Sequence, residues 1–479
     1  MSLSLRGALA WSFAERYTSL VVTMASTMVL ARLLTPAQVG IFSLCASVTI
    51  VAGILRDFGV SEYLIQEKEL SREKLKAAFG IAIAVAWSIG AVVFLTRGFV
   101  ANYFGEPGVE KVLAVLSLNF LILPFASPAA ALLNREMAFR KMFAIQTISN
   151  AVQSVTAVGL AFYGYGYMSL AWAPVLSIAV QTMLVSYFRP RDSFMWPSLK
   201  HARGVLSYGT MFVSSRVAET LTRNAHEFMI AKQFGFTSVG LFSRAFGLME
   251  LFYSNVTSAI LRVASPAFAD NHRAGVGSTE AFGRGTAIIT CIAWPFFGFI
   301  ALMAFEIIHL LFGPQWDAAA PIATVLALSI MPTYLYVLGP NLLAATGHVR
   351  RRLMISLFYC PIHLVAVFFA SFHGLEAIAA AFGLSNFVQL GLYWWQLPKV
   401  LGTRSLALLS PSFTSGIVAI CCIAAEALTA YVCGQQHVSG FVTLLLVAAT
   451  GTIAWLLSVY ATKHAILVEI KQMLHRRPI

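Results

Sequence analysis

Long apolar stretches follow one another along almost the whole chain, each separated from the next by a short polar connection. A helix that spans a bilayer needs roughly 20 mainly apolar residues, which is about the length of these stretches. Of the 479 residues, 58% are hydrophobic and only 11% are charged. A soluble domain could not bury that much apolar surface. We therefore predict an all-α membrane protein.

The apolar stretches predict about fourteen transmembrane helices, in two sets of six followed by a C-terminal pair. We predict an N-terminal lobe at 1–200, a C-terminal lobe at 201–400, and two further helices with a basic cytoplasmic tail at 401–479. A count of twelve or thirteen would require the polar stretch 204–231 to lie outside the membrane. The predicted helices cover residues 10–32, 38–56, 77–96, 112–133, 142–163, 168–188, 204–231, 236–262, 285–312, 320–345, 352–372, 375–397, 413–433 and 440–460.

An internal repeat relates the two sets of six helices. Residues 31–43 read ARLLTPAQVGIFS and residues 231–243 read AKQFGFTSVGLFS, an offset of 200 residues. A second pair agrees at a similar offset, with LLNREMAFRKM at 132–142 and LLAATGHVRRR at 342–352. Because six is an even number, both copies insert in the same orientation. The repeat predicts two pseudo-symmetric lobes around a central cavity, related by an axis along the membrane normal.

Basic residues predict the orientation, since short loops rich in Lys and Arg stay in the cytoplasm. Under the fourteen-helix count, most of the 33 basic residues fall in the even connections and at the termini. We therefore expect a multi-pass protein of the inner membrane with both termini in the cytoplasm. The net charge of +13 is explained by loops that contact anionic lipid headgroups, so nucleic acid is not an expected partner.

Five arginines lie within the predicted spans. Each would cost about 2.5–3.5 kcal/mol at the centre of a lipid-exposed helix, so they must face protein or water. A guanidinium binds phosphate through two parallel hydrogen bonds and keeps its charge, which favours a phosphate or pyrophosphate cargo. We predict that these cations bind the cargo in the cavity: Arg16, Arg56, Arg216, Arg223 and Arg244.

The predicted helix at 204–231 carries Arg216, Glu219, Arg223, His226 and Glu227. At about 100° per residue these five positions fall within an arc of about 100°, which is typical of a helix that lines an aqueous cavity. The 200-residue offset also places Arg16 and Arg216 at equivalent positions in the two copies. Paired positive charge is therefore expected between the lobes.

Acidic residues in the spans have two interpretations. They could pair with the arginines and only hold helices in register, or they could bind Na⁺ or a proton and couple transport to an ion gradient. The candidates for coupling are Glu15, Glu219, Glu227 and Glu250, whereas Glu426 is interpreted as a local packing partner. No nucleotide-binding loop, zinc signature or catalytic serine elbow occurs, so we expect no cofactor, no metal and no enzyme activity.

Three segments carry a resemblance to a known family: ARLLTPAQVGIFS, then LRDFGVSEYLIQ at 55–66, then LLNREMAFRKM. They resemble the polysaccharide transporter branch of the multidrug/oligosaccharidyl-lipid/polysaccharide exporter superfamily, the Wzx-like flippases. The resemblance implies a cargo of undecaprenyl-diphosphate-linked oligosaccharide, moved to the periplasmic leaflet for exopolysaccharide or capsule assembly. It also implies that helices one, two, seven and eight line the cavity, and that a polysaccharide polymerase and export machinery are partners.

Three alternatives remain open. A drug exporter of the same superfamily shares the core helices but usually has an acidic cavity, whereas here arginines dominate the spans. A membrane-embedded glycan polymerase or ligase usually needs a sizeable periplasmic loop, and the longest odd connection here is only 97–111. A purely structural scaffold would leave the charged face of 204–231 without a purpose.

Overall fold

The fold comes from a computed structural model. It describes the backbone at 5–57, 60, 64, 71–136, 138–189, 196–198 and 202–469, and the side chains in those ranges except at 5–17, 57, 139, 202–219 and 405–407. Within these ranges the secondary structure is helical and contains no strand. This follows from the composition, because a helix satisfies its own backbone hydrogen bonds in lipid.

Within the described ranges, seven continuous α-helices precede residue 190, and a short 3₁₀ turn at Leu123–Phe125 joins the fourth to the fifth. They are α1 Leu5–Leu33, α2 Pro36–Asp57, α3 Arg72–Phe104, α4 Pro107–Ile122, α5 Ser127–Arg135, α6 Phe139–Phe162 and α7 Tyr167–Phe188.

Nine more α-helices follow, with a π-helical turn at Tyr253–Thr257 and 3₁₀ turns at Pro314–Ala319 and Met331–Leu335. They are α8 Ala202–Phe252, α9 Ser258–Arg273, α10 Thr279–Phe312, α11 Ala320–Ile330, α12 Gly339–Ala345, α13 Val349–Ala370, α14 Leu375–Leu401, α15 Ser405–Gln435 and α16 Gly440–Ala461.

All fourteen predicted segments lie in helical parts of the chain. Among the described residues, ten helical stretches are long and apolar enough to cross a membrane, and Thr18–Leu33 in α1 is a shorter apolar helix. The stretch in α6 falls below that threshold because it carries charged and amide side chains, and α9, with 16 residues, is too short. The chain is a multi-pass membrane protein, and the count of fourteen crossings stays a prediction.

The predicted break between helices seven and eight lies inside α8. Gly235 has φ +77° and ψ 178°, so the helical path is interrupted there although the helix runs on to Phe252. A positive φ is costly for a residue with a side chain and freely adopted by glycine. The break occurs at the position equivalent to Thr35, which lies between α1 and α2.

In the first copy of the repeat, the helix that follows the break is started by a different interaction. The Thr35 hydroxyl accepts a hydrogen bond from Gln38 N at 3.3 Å, and the Gln38 side chain accepts one from Thr35 N at 3.1 Å. This reciprocal pair is a capping box, and Pro36 in the first turn needs no hydrogen-bond partner for its nitrogen. Helix α2 therefore begins at a well-defined residue.

The repeated glycines face each other across the closest contact between α2 and α8. A Cβ atom added to Gly40 would overlap the carbonyl oxygen of Phe236 and come within 3.0 Å of Gly240 N. A Cβ added to Gly240 would overlap the carbonyl oxygen of Pro36. Both the glycines and the carbonyl residues are related by the 200-residue offset. The two copies therefore meet reciprocally, as a pseudo-twofold axis requires.

The chain divides into two compact units, Met1–Gly240 and Leu241–Ile479. The first unit thus holds the first copy together with the start of the second. The predicted lobe division after residue 200 refers to the sequence repeat and stays a prediction.

In the second unit, α15 and α16 pack against α10 through a buried apolar cluster that includes Cys291, Cys422 and Val459. His464, just beyond α16, closes this cluster and is only 1% exposed. Its Nδ1 accepts a hydrogen bond from Ile466 N at 3.2 Å, and its Nε2 lies 3.0 Å from the Ser415 hydroxyl. Because Nδ1 accepts, the imidazole is neutral and Nε2 carries the hydrogen.

We expect an added methyl group at either repeat glycine to destabilise the fold. Gly40→Ala and Gly240→Ala should each lower the midpoint of thermal unfolding, since overpacking of a tight contact typically costs about 1–3 kcal/mol. The matched control is Gly159→Ala in α6, where a Cβ meets nothing within 4 Å. Unfolding of the purified protein in detergent, followed by tryptophan fluorescence, measures the shift. Equal midpoints for Gly40→Ala and Gly159→Ala would contradict the close contact.

The buried histidine predicts a pH dependence of stability. Burial lowers the pKa of His464 from its ordinary value of about 6.5, so the unfolded chain takes up a proton at a higher pH than the folded one. Stability from this residue is therefore present above pH ~6.5 and is lost as pH falls below it. Thermal unfolding between pH 8 and pH 5 should be less pH-dependent in His464→Phe than in the wild type. The exposed His373 provides the control His373→Phe, which should keep the wild-type slope.

Candidate functional site

Four of the predicted site residues have side chains outside the described residues: Glu15, Arg16, Arg216 and Glu219. Their backbone lies in α1 and α8. The pairing of Arg16 with Arg216 therefore stays a prediction.

The rest of the predicted charged face of α8 can be described. Arg223, His226 and Glu227 are three and four residues apart, so their side chains are neighbours on the helix surface. Arg223 is exposed, His226 is buried at 2% exposure and Glu227 is partly buried. The face thus runs from an open surface at Arg223 into the packed interior at His226.

Glu227 is bound by a serine of α2. The Ser47 hydroxyl donates to Glu227 Oε2 at 2.6 Å, and Ser47 Oγ also lies 3.3 Å from Asn224 Oδ1. Ser47 itself is 2% exposed. The Asn224 amide nitrogen donates to Thr220 O at 2.9 Å, which fixes its oxygen toward Ser47. Three side-chain oxygens, from Ser47, Asn224 and Glu227, therefore converge between α2 and α8.

Helix α3 contacts α8 at Phe228 and Lys232, just after Glu227. The Phe228 ring lies 6.5 Å from the Phe104 ring, measured between centroids. Lys232 Nζ donates to Tyr103 O at 2.7 Å and lies 4.2 Å from the centre of the Tyr103 ring. An ammonium over an aromatic face is stabilised by the ring quadrupole. The segment that carries Glu227 is thus held in place by two helices of the first copy.

The oxygen cluster suits a proton or a hard cation. A partly buried carboxylate must be neutralised or hydrogen-bonded, and Ser47 supplies only one donor. Carboxylate, amide and hydroxyl oxygens are also the ligands that hard cations prefer. The arrangement can therefore neutralise Glu227 with either H⁺ or Na⁺ at the contact between the two copies.

The remaining predicted cations lie in aromatic surroundings. In the first unit, the partly buried Arg56 guanidinium lies 5.6 Å from the centre of the Phe120 ring. In the second unit, the Arg244 guanidinium lies 5.4 Å from the Phe312 ring and 5.0 Å from the Trp316 ring.

The sequence leaves open that Arg244 pairs with a carboxylate. Within the described part of the chain, its Nε has no hydrogen-bond partner and no carboxylate pairs with it. The two rings, which stack well with a guanidinium, hold it instead. Glu250, farther along α8, is partly buried in the same unit.

Sequence reasoning missed Ser47 and Asn224. Asn224 occurs on the same helical face as Glu227, so a search for polar neighbours of the acid would have found it. Ser47 lies seven residues, or about two turns, after Gly40 on α2. It therefore shares the face that the repeat marks as a contact, and this spacing is the signal that could have identified it.

Comparison with known sequences identifies a family. Residues 29–321 match the family described as polysaccharide biosynthesis protein. The lipopolysaccharide biosynthesis protein WzxC of Escherichia coli K12 is 23% identical over 66% of this chain. The succinoglycan biosynthesis transport protein ExoT of Rhizobium meliloti 1021 is 25% identical over 67% of it. Each match spans 65% of the relative's own length.

Comparison with solved structures identifies the fold. The lipid II flippase MurJ in its inward closed conformation matches with a TM-score of 0.77 at 11% identity, covering 94% of this chain and 98% of MurJ. An inward-facing multidrug resistance MATE family transporter of the MOP superfamily matches with a TM-score of 0.60 at 14% identity, covering 80% and 94%.

These findings confirm the all-α fold and the resemblance to proteins of polysaccharide biosynthesis. The family match covers more than half of the chain and includes both copies of the repeat motif. The chain therefore belongs to the polysaccharide biosynthesis protein family.

Proposed function

We propose that this protein is a flippase for undecaprenyl-diphosphate-linked oligosaccharide repeat units. It moves them from the cytoplasmic to the periplasmic leaflet of the bacterial inner membrane for exopolysaccharide or capsule assembly. The observation that carries the proposal is membership of the polysaccharide biosynthesis family. The fold, shared over 94% of the chain with a protein named as a lipid flippase, supports it.

The contact between the two copies gives alternating access a physical basis. With both termini in the cytoplasm, the breaks at Thr35 and Gly235 lie at the periplasmic side, and so does the Gly40–Gly240 contact. Close backbone packing there closes the path on that side. Release of cargo to the periplasmic leaflet requires α2 and α8 to separate at these glycines, and their return resets the cycle.

The cargo's pyrophosphate is anionic, so cavity arginines are its natural partners. In this proposal Arg16 and Arg216, one from each copy, bind the pyrophosphate together, and the exposed Arg223 attracts it. Arg56 and Arg244 contribute positive charge from positions supported by aromatic rings. The oligosaccharide follows the pyrophosphate, while the polyprenyl chain stays in the lipid.

The Ser47–Asn224–Glu227 cluster is the proposed coupling site. Opening the contact between α2 and α8 removes the Ser47 hydroxyl from Glu227 and leaves the carboxylate to water or to an ion. A proton or Na⁺ that neutralises Glu227 therefore binds the closed and open forms with different affinity. Such a difference in affinity is what allows an ion gradient to shift a conformational equilibrium.

Export of a drug-like solute is the second candidate, favoured by the likeness to a multidrug transporter of the same superfamily. The two candidates differ in substrate charge, because a cationic drug would be repelled by the arginines that the first proposal uses.

A polysaccharide polymerase and the export machinery are the proposed partners of the flippase, since they would consume its product.

The flippase proposal is tested in proteoliposomes that contain undecaprenyl-diphosphate glycan on both leaflets. A membrane-impermeant glycan-cleaving enzyme added outside should reach the inner-leaflet pool faster when the protein is present. Arg16→Ala and Arg216→Ala should each slow this at least about tenfold, since hydrogen bonds to charged groups contribute about 1.5–3 kcal/mol. Lysine at either position should restore only part of the rate, because it cannot make two parallel bonds.

The control for the arginine variants is Arg273→Ala, an exposed arginine at the end of α9. It should flip at the wild-type rate. Unchanged flipping in both Arg16→Ala and Arg216→Ala would refute the pyrophosphate-binding role. No protein-dependent flipping under any imposed gradient would favour drug export.

The coupling role of Glu227 predicts a separate phenotype. With an imposed H⁺ or Na⁺ gradient, the wild-type rate should rise severalfold, while Glu227→Gln should respond to neither gradient because its amide cannot bind a proton or change charge. Ser47→Ala should weaken the response without removing it. The control is Glu280→Gln, an exposed acid in the first turn of α10. A gradient response in Glu227→Gln equal to the wild type would place the coupling ion elsewhere.

A further inference from the structure

Glu426 in α15 is a carboxylate that the proposed transport cycle does not use. Its side chain is only 4% exposed. One oxygen packs against α16 at Gly451, where an added Cβ would overlap it. The other oxygen, Oε2, has no hydrogen-bond partner among the described residues. If Glu426 is only a packing partner, the position of the first oxygen is explained, but the second oxygen has no role.

Glu426 lines a cavity of about 390 Å³ between α10, α15 and α16 in the second unit. The rest of the wall is mainly apolar and aromatic, with Phe296 and Phe299 from α10 and Trp455 from α16. This volume is within the range of small-molecule sites, which are typically apolar with a few polar groups that fix orientation.

The other polar side chains of the wall already have partners. Trp455 Nε1 donates to Cys291 O at 2.9 Å, and the Thr452 hydroxyl donates to Ala448 O at 2.7 Å. Oε2 itself is enclosed, so among the described wall residues the Glu426 carboxylate as a whole is the polar group left for a ligand. The wall holds no lysine or arginine to pair with it. A buried carboxylate without a counter-charge is costly, so a ligand with positive charge would offset that cost.

We propose that this cavity is a binding site for a hydrophobic organic cation, such as an aryl quaternary ammonium. The Glu426 carboxylate pairs with its charge, and the rings of Phe296, Phe299 and Trp455 surround its apolar part. Aromatic faces also attract a desolvated cation, so both wall features favour the same ligand class. A neutral lipid chain would fill the volume but would leave the carboxylate unpaired.

This site differs from the proposed cargo site in its charge preference. The flippase proposal depends on arginines and an anionic pyrophosphate, whereas the α15–α16 cavity presents an acid and aromatic rings. The inference therefore stands or falls independently of the proposed function. A cation that occupies the cavity would act as a modulator or as a second substrate.

The test uses the full chain in nanodiscs of phosphatidylcholine, a lipid without net charge that does not concentrate cations. Phenyltrimethylammonium is titrated by isothermal calorimetry, with tert-butylbenzene as a neutral molecule of nearly the same shape. The wild type should bind the cation saturably, one per chain, and at least tenfold more tightly than the neutral analogue. Glu426→Gln, which keeps the size of the side chain, should lose at least tenfold in affinity for the cation only.

Two further variants separate a lost site from a damaged fold. Glu306→Gln removes a carboxylate from α10 outside the cavity wall and should bind as the wild type does. Thr452→Trp keeps Glu426 but fills the cavity from an exposed position on α16, and should abolish binding. The proposal is overturned if the wild type shows no saturable binding, if Glu426→Gln binds the cation equally well, or if the neutral analogue binds as tightly as the cation.

Discussion

The close approach of α2 and α8 is the contact on which the rest of the proposed mechanism depends. Two glycines with no side chain allow each helix to place its backbone against a carbonyl of the other. Without that proximity Ser47 could not reach Glu227 across the same pair of helices. The glycine contact therefore has two effects: it closes the proposed pathway, and it places Glu227 within reach of Ser47. The two effects are linked because α2 and α8 carry both pairs of residues.

Charge in a low-dielectric medium explains where the polar groups of this chain are found. Each ionisable side chain in a span needs a hydrogen-bond donor, a counter-charge, a ring face or water. Glu227 has a serine hydroxyl, Arg244 has two aromatic rings, and the exposed Arg223 reaches an open surface. Glu426 is the described case in which one oxygen has none of these. The proposals for Glu227 and Glu426 apply the same rule to two acids with different surroundings.

Much of the fold was predictable because the membrane imposes a simple constraint. All predicted helical segments were confirmed as helical, since about 20 apolar residues in lipid have few alternatives. The predicted boundary between the segments 204–231 and 236–262 is confirmed by the break at Gly235. The number of crossings stays a prediction, because the amides of α6 lower its mean hydropathy and ten described stretches pass as spans. The functional roles of the charged positions stay predictions, and their structural partners could not be predicted from the sequence. Arg244 binds the rings of Phe312 and Trp316, about 70 residues away, and no local pattern indicates such a contact.

The reciprocal glycine contact also has a consequence for how the chain can change over time. In a homodimer, one substitution alters both halves of a symmetric interface at once. Here the two copies are joined in one chain, so a substitution at residue 40 adds a single side chain, which meets the Phe236 carbonyl and lies close to Gly240 N. The two glycines can therefore be replaced one at a time. The capping box at Thr35 and the glycine break at 235 already differ in this way, because equivalent positions of the repeat interrupt the helical path by different chemistry.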